Sequence, residues 1–245
     1  IPVGSWKYWC GVWGVDFEWV KKQFASEAMM TKSGITVSRW IDGVLEKNDL
    51  IDQDPNLKAV FYWGHAPNSQ SRGLEMKKAM DKLDLLVVVD PYPSSTAAMA
   101  AMPGTDAKDL NPNRAVYLLP ACTQFETSGS ATASNRSLQW REKVIEPLFE
   151  SRTDQMIMYQ LAEKLGFGKE LVKNYKMVQG KGGTEPETES ILREINRGVW
   201  TIGYTGQSPE RLKLHMKHMN TFDVKTLRAK LRAHPHAKFP VCAGN

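Results

Sequence analysis

The chain is poor in cysteine and contains no long hydrophobic run. Its 245 residues include only three cysteines, Cys10, Cys122 and Cys242, and no two of them form a Cys-x-x-Cys pair. This spacing excludes a zinc ribbon or an iron–sulfur cluster built from these residues alone, and an odd number argues against a disulfide framework. No apolar run approaches the roughly 20 residues that a membrane-spanning helix requires. The sequence therefore does not predict a bundle of membrane helices.

The chain also lacks the strongest short motifs and a large excess of charge of either sign. It has no Gly-x-Gly-x-x-Gly, no phosphate-binding Gly-x-x-x-x-Gly-Lys-[Ser/Thr] and no Gly-x-Ser-x-Gly. Lys and Arg number 32 against 27 Asp and Glu, so the formal net charge is only +5. Such a balance does not demand a nucleic-acid or membrane partner. With 42% hydrophobic and 24% charged residues, the composition is that of an ordinary globular protein.

The middle of the chain alternates predicted strands and helices. Residues 58–64, 85–90 and 115–120 are short apolar runs, and they predict strands buried in a parallel sheet because they show no alternation. Residues 71–83 predict an amphipathic helix, and residues 96–102 predict a short one. This β-α-β-α-β order is typical of an α/β fold with a doubly wound, mostly parallel sheet and helices on both faces.

Three regions are expected along the chain. Residues 1–55, whose first 25 residues hold four of the eight tryptophans, predict a segment that packs on domains outside this chain. Residues 56–166 predict the α/β domain, and residues 167–245 predict a mainly helical extension.

Within and after the α/β domain, capping residues and apolar periodicity set the predicted elements. Helices are predicted at residues 154–166, 188–197, 208–220 and 223–234, and a flexible loop at 179–186.

The ends of two predicted strands form the best candidate for a ligand site. Open α/β sheets bind ligands beyond the carboxyl ends of their strands. The first strand ends in Gly64 and His65, where a glycine lets the backbone approach a phosphate, and the second ends in Asp90, whose carboxylate can accept hydrogen bonds from a ribose or a guanine. These features indicate nucleotide binding, but a simple turn and a capping aspartate would look the same.

Other residues support weaker hypotheses. His215 and His218 share a spacing that metal ligands use, but no acid or cysteine completes a set, so a solvated helix face is the alternative. Residues 211–238 contain eight Lys or Arg and one acid, which indicates either nucleic-acid binding or a basic surface. Cys122 follows a strand but has no obvious base partner for nucleophilic chemistry.

Three motifs carry a family resemblance. Residues 63–68, Trp-Gly-His-Ala-Pro-Asn, are similar to a Gly-x-Asn-Pro loop with the last two residues exchanged. Residues 88–97 contain an Asp followed by a Ser-Ser-Thr-Ala element. Residues 118–139 contain a Leu-Pro…Glu…Gly…Asn-Arg…Gln pattern. Together these motifs resemble the molybdopterin oxidoreductase family, and most closely the large subunits of molybdenum- or tungsten-dependent formate dehydrogenases.

The resemblance implies a cofactor site at the strand ends. Residues 56–166 would form a domain that binds molybdopterin guanine dinucleotide, with the 64–68 loop along the pyrophosphate and residues 90–96 at the guanosine. The cofactor-binding residues implied in this way are Trp63, Gly64, His65, Asn68, Asp90, Tyr92, Ser94, Thr96, Glu126 and Asn135. No catalytic residue or metal ligand of this chain is implied.

The resemblance also implies an activity and its partners. The reaction would be oxidation of formate to carbon dioxide, with molybdenum or tungsten as the metal and a [4Fe-4S] cluster outside this chain. Expected partners are the remainder of the large subunit, an iron–sulfur electron-transfer subunit and a membrane cytochrome b subunit, at a periplasmic location, with no nucleic acid. The chain alone is expected to be inactive. Alternatives are another molybdopterin oxidoreductase, such as a nitrate or thiosulfate reductase, or a non-catalytic basic binding module.

Overall fold

A computed structural model of the chain forms two compact units. The structure describes residues 3–22, 39–46, 56–65, 72–93, 113–134, 138–198, 208–218, 222–223 and 228–229. The sheet unit comprises residues 33–122 and 148–152, and the mixed unit comprises residues 1–32, 123–147 and 153–245.

The described part of the chain contains both helices and strands. The helices are α1 (Val3–Trp13), α2 (Phe17–Lys22), α3 (Trp40–Leu45), α4 (Gly73–Lys82), α5 (Asp154–Leu165), α6 (Gly168–Leu171), α7 (Thr188–Gly198) and α8 (Pro209–Lys217). The strands are β1 (Ala59–Trp63), β2 (Leu85–Asp90), β3 (Ala115–Pro120), β4 (Gly129–Thr132), β5 (Leu138–Arg141), β6 (Met177–Gly180), β7 (Gly183–Pro186), β8 (Phe222–Asp223) and β9 (Arg228–Ala229). No helix in these ranges is long and apolar enough to cross a membrane.

The sheet unit is built on three parallel strands in the order β1-β2-β3. All three predicted strands are confirmed within one residue at their ends, but their predicted burial is confirmed only for β2. In β1 only Tyr62 is buried, and no residue of β3 is buried. The middle strand β2 is paired on both sides, and residues 86–89 are buried, which explains their unbroken run of apolar residues. The α/β fold class is therefore confirmed.

One face of the sheet is covered by α3 and α4. Met76, Ala79 and Met80 follow the 3–4 spacing of a helix face, and they are fully buried in one cluster with Leu86 and Val88 of β2. Burial of each large side chain contributes about 1.5–3 kcal/mol relative to exposure. The helix predicted at 96–102 lies outside the described residues.

A buried ion pair joins the end of α4 to the start of β3. The Nη1 atom of Arg114 lies 3.0 Å from Oδ1 of Asp81, and the two side chains are 10% and 4% exposed. The same Nη1 atom donates to the carbonyl of Met80 at 3.3 Å. The guanidinium therefore holds the last turn of the helix against the edge strand.

The mixed unit combines helices with short antiparallel pairs. Strands β4 and β5 form one hairpin, and Leu138 and Trp140 of β5 pack with Leu192 of α7 and Leu212 of α8 in a small core. The predicted starts of two helices are confirmed by their caps, because the Thr153 and Ser208 hydroxyls accept hydrogen bonds from the backbone three residues on. Helix α5 ends before Gly166, as predicted.

Two predicted elements of the C-terminal half are wrong. Residues 179–186, predicted as a flexible loop, lie in the β6–β7 hairpin, where Gln179 pairs with Thr184, because backbone pairing satisfies the polar groups of this glycine-rich stretch. Residues 223–234 were predicted as a helix, but β8 and β9 pair Asp223 with Arg228 in an antiparallel ladder. The remainder of that predicted helix lies outside the described residues.

Removing the carboxylate of the buried ion pair should destabilise the protein strongly. Asp81→Asn leaves the Arg114 guanidinium buried without its counter-charge, so we expect the free energy of unfolding to fall by about 3–5 kcal/mol. Glu146→Gln is the matched control, because its partner Lys143 and its own side chain are 42% and 76% exposed, and its loss should stay below about 1 kcal/mol. Urea denaturation measures both, and equal losses would contradict the structural role of the pair.

Candidate functional site

The candidate site lies at the carboxyl ends of β1 and β2. Trp63, the last residue of β1, pairs with Val89, and the backbone N–H of Gly64 donates to the Val89 carbonyl at 2.9 Å. Gly64 therefore lies beside Asp90, the last residue of β2. The structure brings these two predicted residues to one edge of the sheet because parallel strands end in the same direction.

Gly64 turns the chain away from β1 with a left-handed backbone. Its φ is +57°, a conformation that residues with a Cβ rarely adopt. A Cβ added at this position would meet no atom of the described residues within 4 Å. No atom of the described residues therefore blocks the approach of a ligand to the backbone at this strand end.

His65 follows β1 and stacks on Tyr62, a buried residue of that strand. The rings of His65 and Tyr62 are 6.0 Å apart at an interplanar angle of 17°, and Tyr62 in turn meets Trp40 of α3 edge-on at 5.9 Å. Burial raises the pKa of the Tyr62 hydroxyl above its usual value. Tyr62 is therefore uncharged, and its ring packs against the exposed imidazole of His65 next to Gly64.

Asp90 is held by the loop that follows it. Its Oδ1 atom accepts a hydrogen bond from the backbone N–H of Tyr92 at 2.9 Å, and its carbonyl accepts one from Ala121 at 3.2 Å. Oδ2 receives no hydrogen bond from any residue that the structure describes. The turn-capping role and a ligand-binding role are therefore compatible, since each uses a different oxygen.

The other predicted site residues fall into two groups. Trp63 is half-buried and Tyr92 is 66% exposed at the same sheet edge. Glu126 belongs to the mixed unit, where its buried Oε2 accepts from the Thr123 N–H at 2.7 Å and so closes a turn. Four residues lie outside the described part of the chain, and their assignment to the site stays a prediction: Asn68, Ser94, Thr96 and Asn135.

Sequence analysis missed Arg72, which precedes α4 at this edge. Its φ is +69°, and its guanidinium bonds both Asp42, at 2.8 Å from Nη2 to Oδ1, and Glu75. A left-handed conformation is unusual for a residue with a side chain, so these ion pairs hold Arg72 in place. The signal available in the sequence was a single Arg ahead of the amphipathic helix.

Two arginines next to Asp42 lower the pKa of its carboxyl group. Asp42 also accepts from Arg39 Nε at 2.9 Å and is 8% exposed. Hydrogen bonds, first from Arg72 and then from Arg39, hold the pKa of the Asp42 carboxyl below its usual value. The carboxylate is thereby kept charged beneath the start of α4.

Arg152 is a second basic residue at the edge that sequence analysis did not single out. Its backbone continues the sheet beyond β3, because Arg152 N–H donates to Pro120 at 3.1 Å and Cys122 N–H donates to Arg152 at 2.8 Å. Cys122 is thus a buried structural residue of this junction. No side-chain signal in residues 148–152 predicts this pairing, since it uses backbone atoms alone.

The described ranges contain no group of three His, Cys, Asp or Glu side chains arranged to hold a metal ion. Residues 20–164, which include the parallel strands β1–β3, match the model of the molybdopterin oxidoreductase domain.

The chain belongs to the molybdopterin oxidoreductase family. It is 29% identical over 192 residues to the alpha subunit of the F420-dependent formate dehydrogenase of Methanocaldococcus jannaschii, which covers 78% of this chain and 23% of that protein. It is 33% identical over 157 residues to the alpha subunit of formate dehydrogenase 2 (cytochrome c-553) of Nitratidesulfovibrio vulgaris, covering 59% of the chain and 14% of the relative.

A reductase is similar to this chain at a comparable sequence identity. The trimethylamine-N-oxide reductase of Vibrio cholerae is 30% identical over 150 residues, covering 57% of this chain and 16% of the reductase. The chain thus spans about a quarter or less of the length of these relatives.

The ion pairs of Asp42 should make the free energy of unfolding of this protein fall as the pH is lowered into the acid range. Because the folded pKa is lowered, the stabilisation is complete above the unfolded value of about 3.9 and is lost as pH falls through the folded value. We expect Asp42→Asn to lower the free energy of unfolding at pH 7 and to make its decline at acid pH shallower. Asp84→Asn, at an exposed position before β2, is the control. Parallel acid profiles of Asp42→Asn and the wild type would refute the assignment.

Proposed function

We propose that the sheet unit binds the guanosine end of a molybdopterin guanine dinucleotide, with Gly64 and His65 along the pyrophosphate and Asp90 at the guanosine. The observation that carries this proposal is the left-handed Gly64 beside Asp90 at the ends of two adjacent parallel strands. Ligands of open α/β sheets bind at this kind of edge. The family match supplies the class of cofactor.

The residues present are suited to a phosphate at the β1 end. Helix α4 follows the loop after β1 and therefore begins at this same edge, with first-turn N–H groups that have no partner within the helix and with the positive end of its dipole. The exposed Arg152 adds positive charge at this edge, whereas Arg72 is already paired with Asp42 and Glu75. A pyrophosphate carries negative charge, so the start of α4 and Arg152 favour it.

Asp90 is suited to a purine nucleoside with neighbouring N–H or O–H donors. Guanine presents two adjacent N–H groups on one edge, and a ribose presents hydroxyls. Because Tyr92 holds Oδ1, the carboxylate is oriented before the ligand arrives. Charge-assisted hydrogen bonds of this kind contribute about 1.5–3 kcal/mol each.

We further propose that the whole protein is a formate dehydrogenase. The similarity to the formate dehydrogenase subunits of Methanocaldococcus jannaschii and Nitratidesulfovibrio vulgaris supports the assignment. When bound, the cofactor would supply the metal centre for a two-electron oxidation of formate to carbon dioxide, while the residues of this chain bind and orient its nucleotide. A [4Fe-4S] cluster, an iron–sulfur subunit and a membrane cytochrome b subunit at a periplasmic location complete the proposal.

A reductase for trimethylamine N-oxide is the second candidate, because the relative from Vibrio cholerae is 30% identical. Assays of the whole purified protein separate the two. Formate-dependent reduction of an artificial dye supports the first proposal. Oxidation of a reduced dye that requires trimethylamine N-oxide, without any formate activity, would overturn it.

Replacing Asp90 should weaken retention of the cofactor. Asp90→Asn keeps the shape and can still cap the turn, but it loses the charge, so we expect roughly tenfold weaker cofactor retention. The variant should fold normally and be recovered with less metal and less guanine nucleotide, measured by metal analysis and by chromatography of released nucleotide.

Asp84→Asn is the matched control for this experiment, because it changes the same residue type at the opposite end of the same strand. It should retain full cofactor. Full metal and nucleotide content in Asp90→Asn would leave Asp90 as a turn residue and contradict its proposed role.

A further inference from the structure

Tyr92 is an exposed aromatic residue at the carboxyl edge of the sheet, two residues after Asp90. Its side chain is 66% exposed, so much of an apolar ring lies in water. Isolated exposed aromatic residues are common on protein surfaces and need no function. Tyr117 is exposed to a similar degree, 56%, but it lies in the middle of β3 and away from this edge. Tyr92 differs from it in its place and in the restraints on its backbone.

Two prolines and one hydrogen bond restrict the backbone of Tyr92. Pro91 has a fixed φ, and Pro93 disfavours the helical conformation in the residue that precedes it. The N–H group of Tyr92 donates to Oδ1 of Asp90 at 2.9 Å. The main chain that carries the ring is therefore restrained relative to the carboxylate before any ligand binds, and less conformational entropy is lost on binding.

The Asp90 carboxylate and the Tyr92 ring are close enough in the chain to contact one planar ligand. Two residues of chain span at most about 7 Å, so the two side chains start from neighbouring points of the same loop. Oδ2 of Asp90 accepts no hydrogen bond from the described residues and can accept one from an N–H group on the edge of a base. A tyrosine ring offers a flat face on which a base stacks. One short loop thus carries a polar and an apolar group for the same base.

We propose that Tyr92 stacks on the purine base of the bound nucleotide, so that the loop after β2 recognises the base as well as the sugar. This inference rests on the proposed function of the sheet unit as a nucleotide-binding site, and it assigns a role and a share of the affinity to one further side chain. Stacking of a base on an aromatic side chain strengthens binding by about tenfold or more. The ring is needed for this role, whereas its hydroxyl group is not.

GMP and ribose 5-phosphate test the proposal on the whole protein, purified from cells that cannot make the molybdenum cofactor so that the site is free. The two probes share the sugar and the phosphate and differ only in the base. Calorimetry or equilibrium dialysis should show that Tyr92→Leu weakens GMP binding by about tenfold and leaves ribose 5-phosphate binding unchanged. Tyr92→Phe, which keeps the ring, should bind GMP as the wild type does.

Tyr117→Leu is the matched control, because it removes the same side chain at a similar exposure away from the edge, and it should not change GMP binding. Unchanged GMP affinity in Tyr92→Leu would overturn the stacking role and leave the proposed function standing. An equal loss for both probes would also overturn it, since the ring would then only hold the loop. Failure of the wild type to bind GMP would overturn the nucleotide site itself, and the stacking role with it.

Discussion

Burial of the central strand β2 is the constraint on which the sheet unit depends. Its backbone pairs with β1 on one side and with β3 on the other, and residues 86–89 are buried. Such a strand cannot be exposed without leaving both apolar side chains and backbone groups unsatisfied. The packing of Met76 and Met80 from α4 and the Asp81–Arg114 ion pair follow from it, because they hold the helix and the edge strand against β2.

The same parallel pairing creates the candidate site. Parallel strands direct their carboxyl ends to one edge, so Gly64 and Asp90 lie side by side because their strands are paired through the backbone. The polar groups of this edge are then oriented by hydrogen bonds: Asp90 by the Tyr92 amide and Arg72 by Asp42 and Glu75. A site whose groups are oriented in advance loses less conformational entropy when a ligand binds.

The mixed unit orients polar groups in a different way. A single amide, Asn174, reaches both the Trp13 carbonyl and the Glu194 carboxylate, and thus connects residues that are far apart in sequence. The aromatic side chains near this carboxylate come from the tryptophan-rich start of the chain and from residues 167–175.

The sequence by itself determined the three strands, helix α4 and the capped starts of α5 and α8, because these depend on local periodicity and on capping residues. It also placed Gly64 and Asp90 at strand ends. Only the tertiary structure decided the roles of Arg72 and Arg152, since their positions depend on ion pairs and backbone pairing with distant segments. It likewise decided the β6–β7 and β8–β9 pairs, which local propensity does not specify because strand pairing is a non-local interaction.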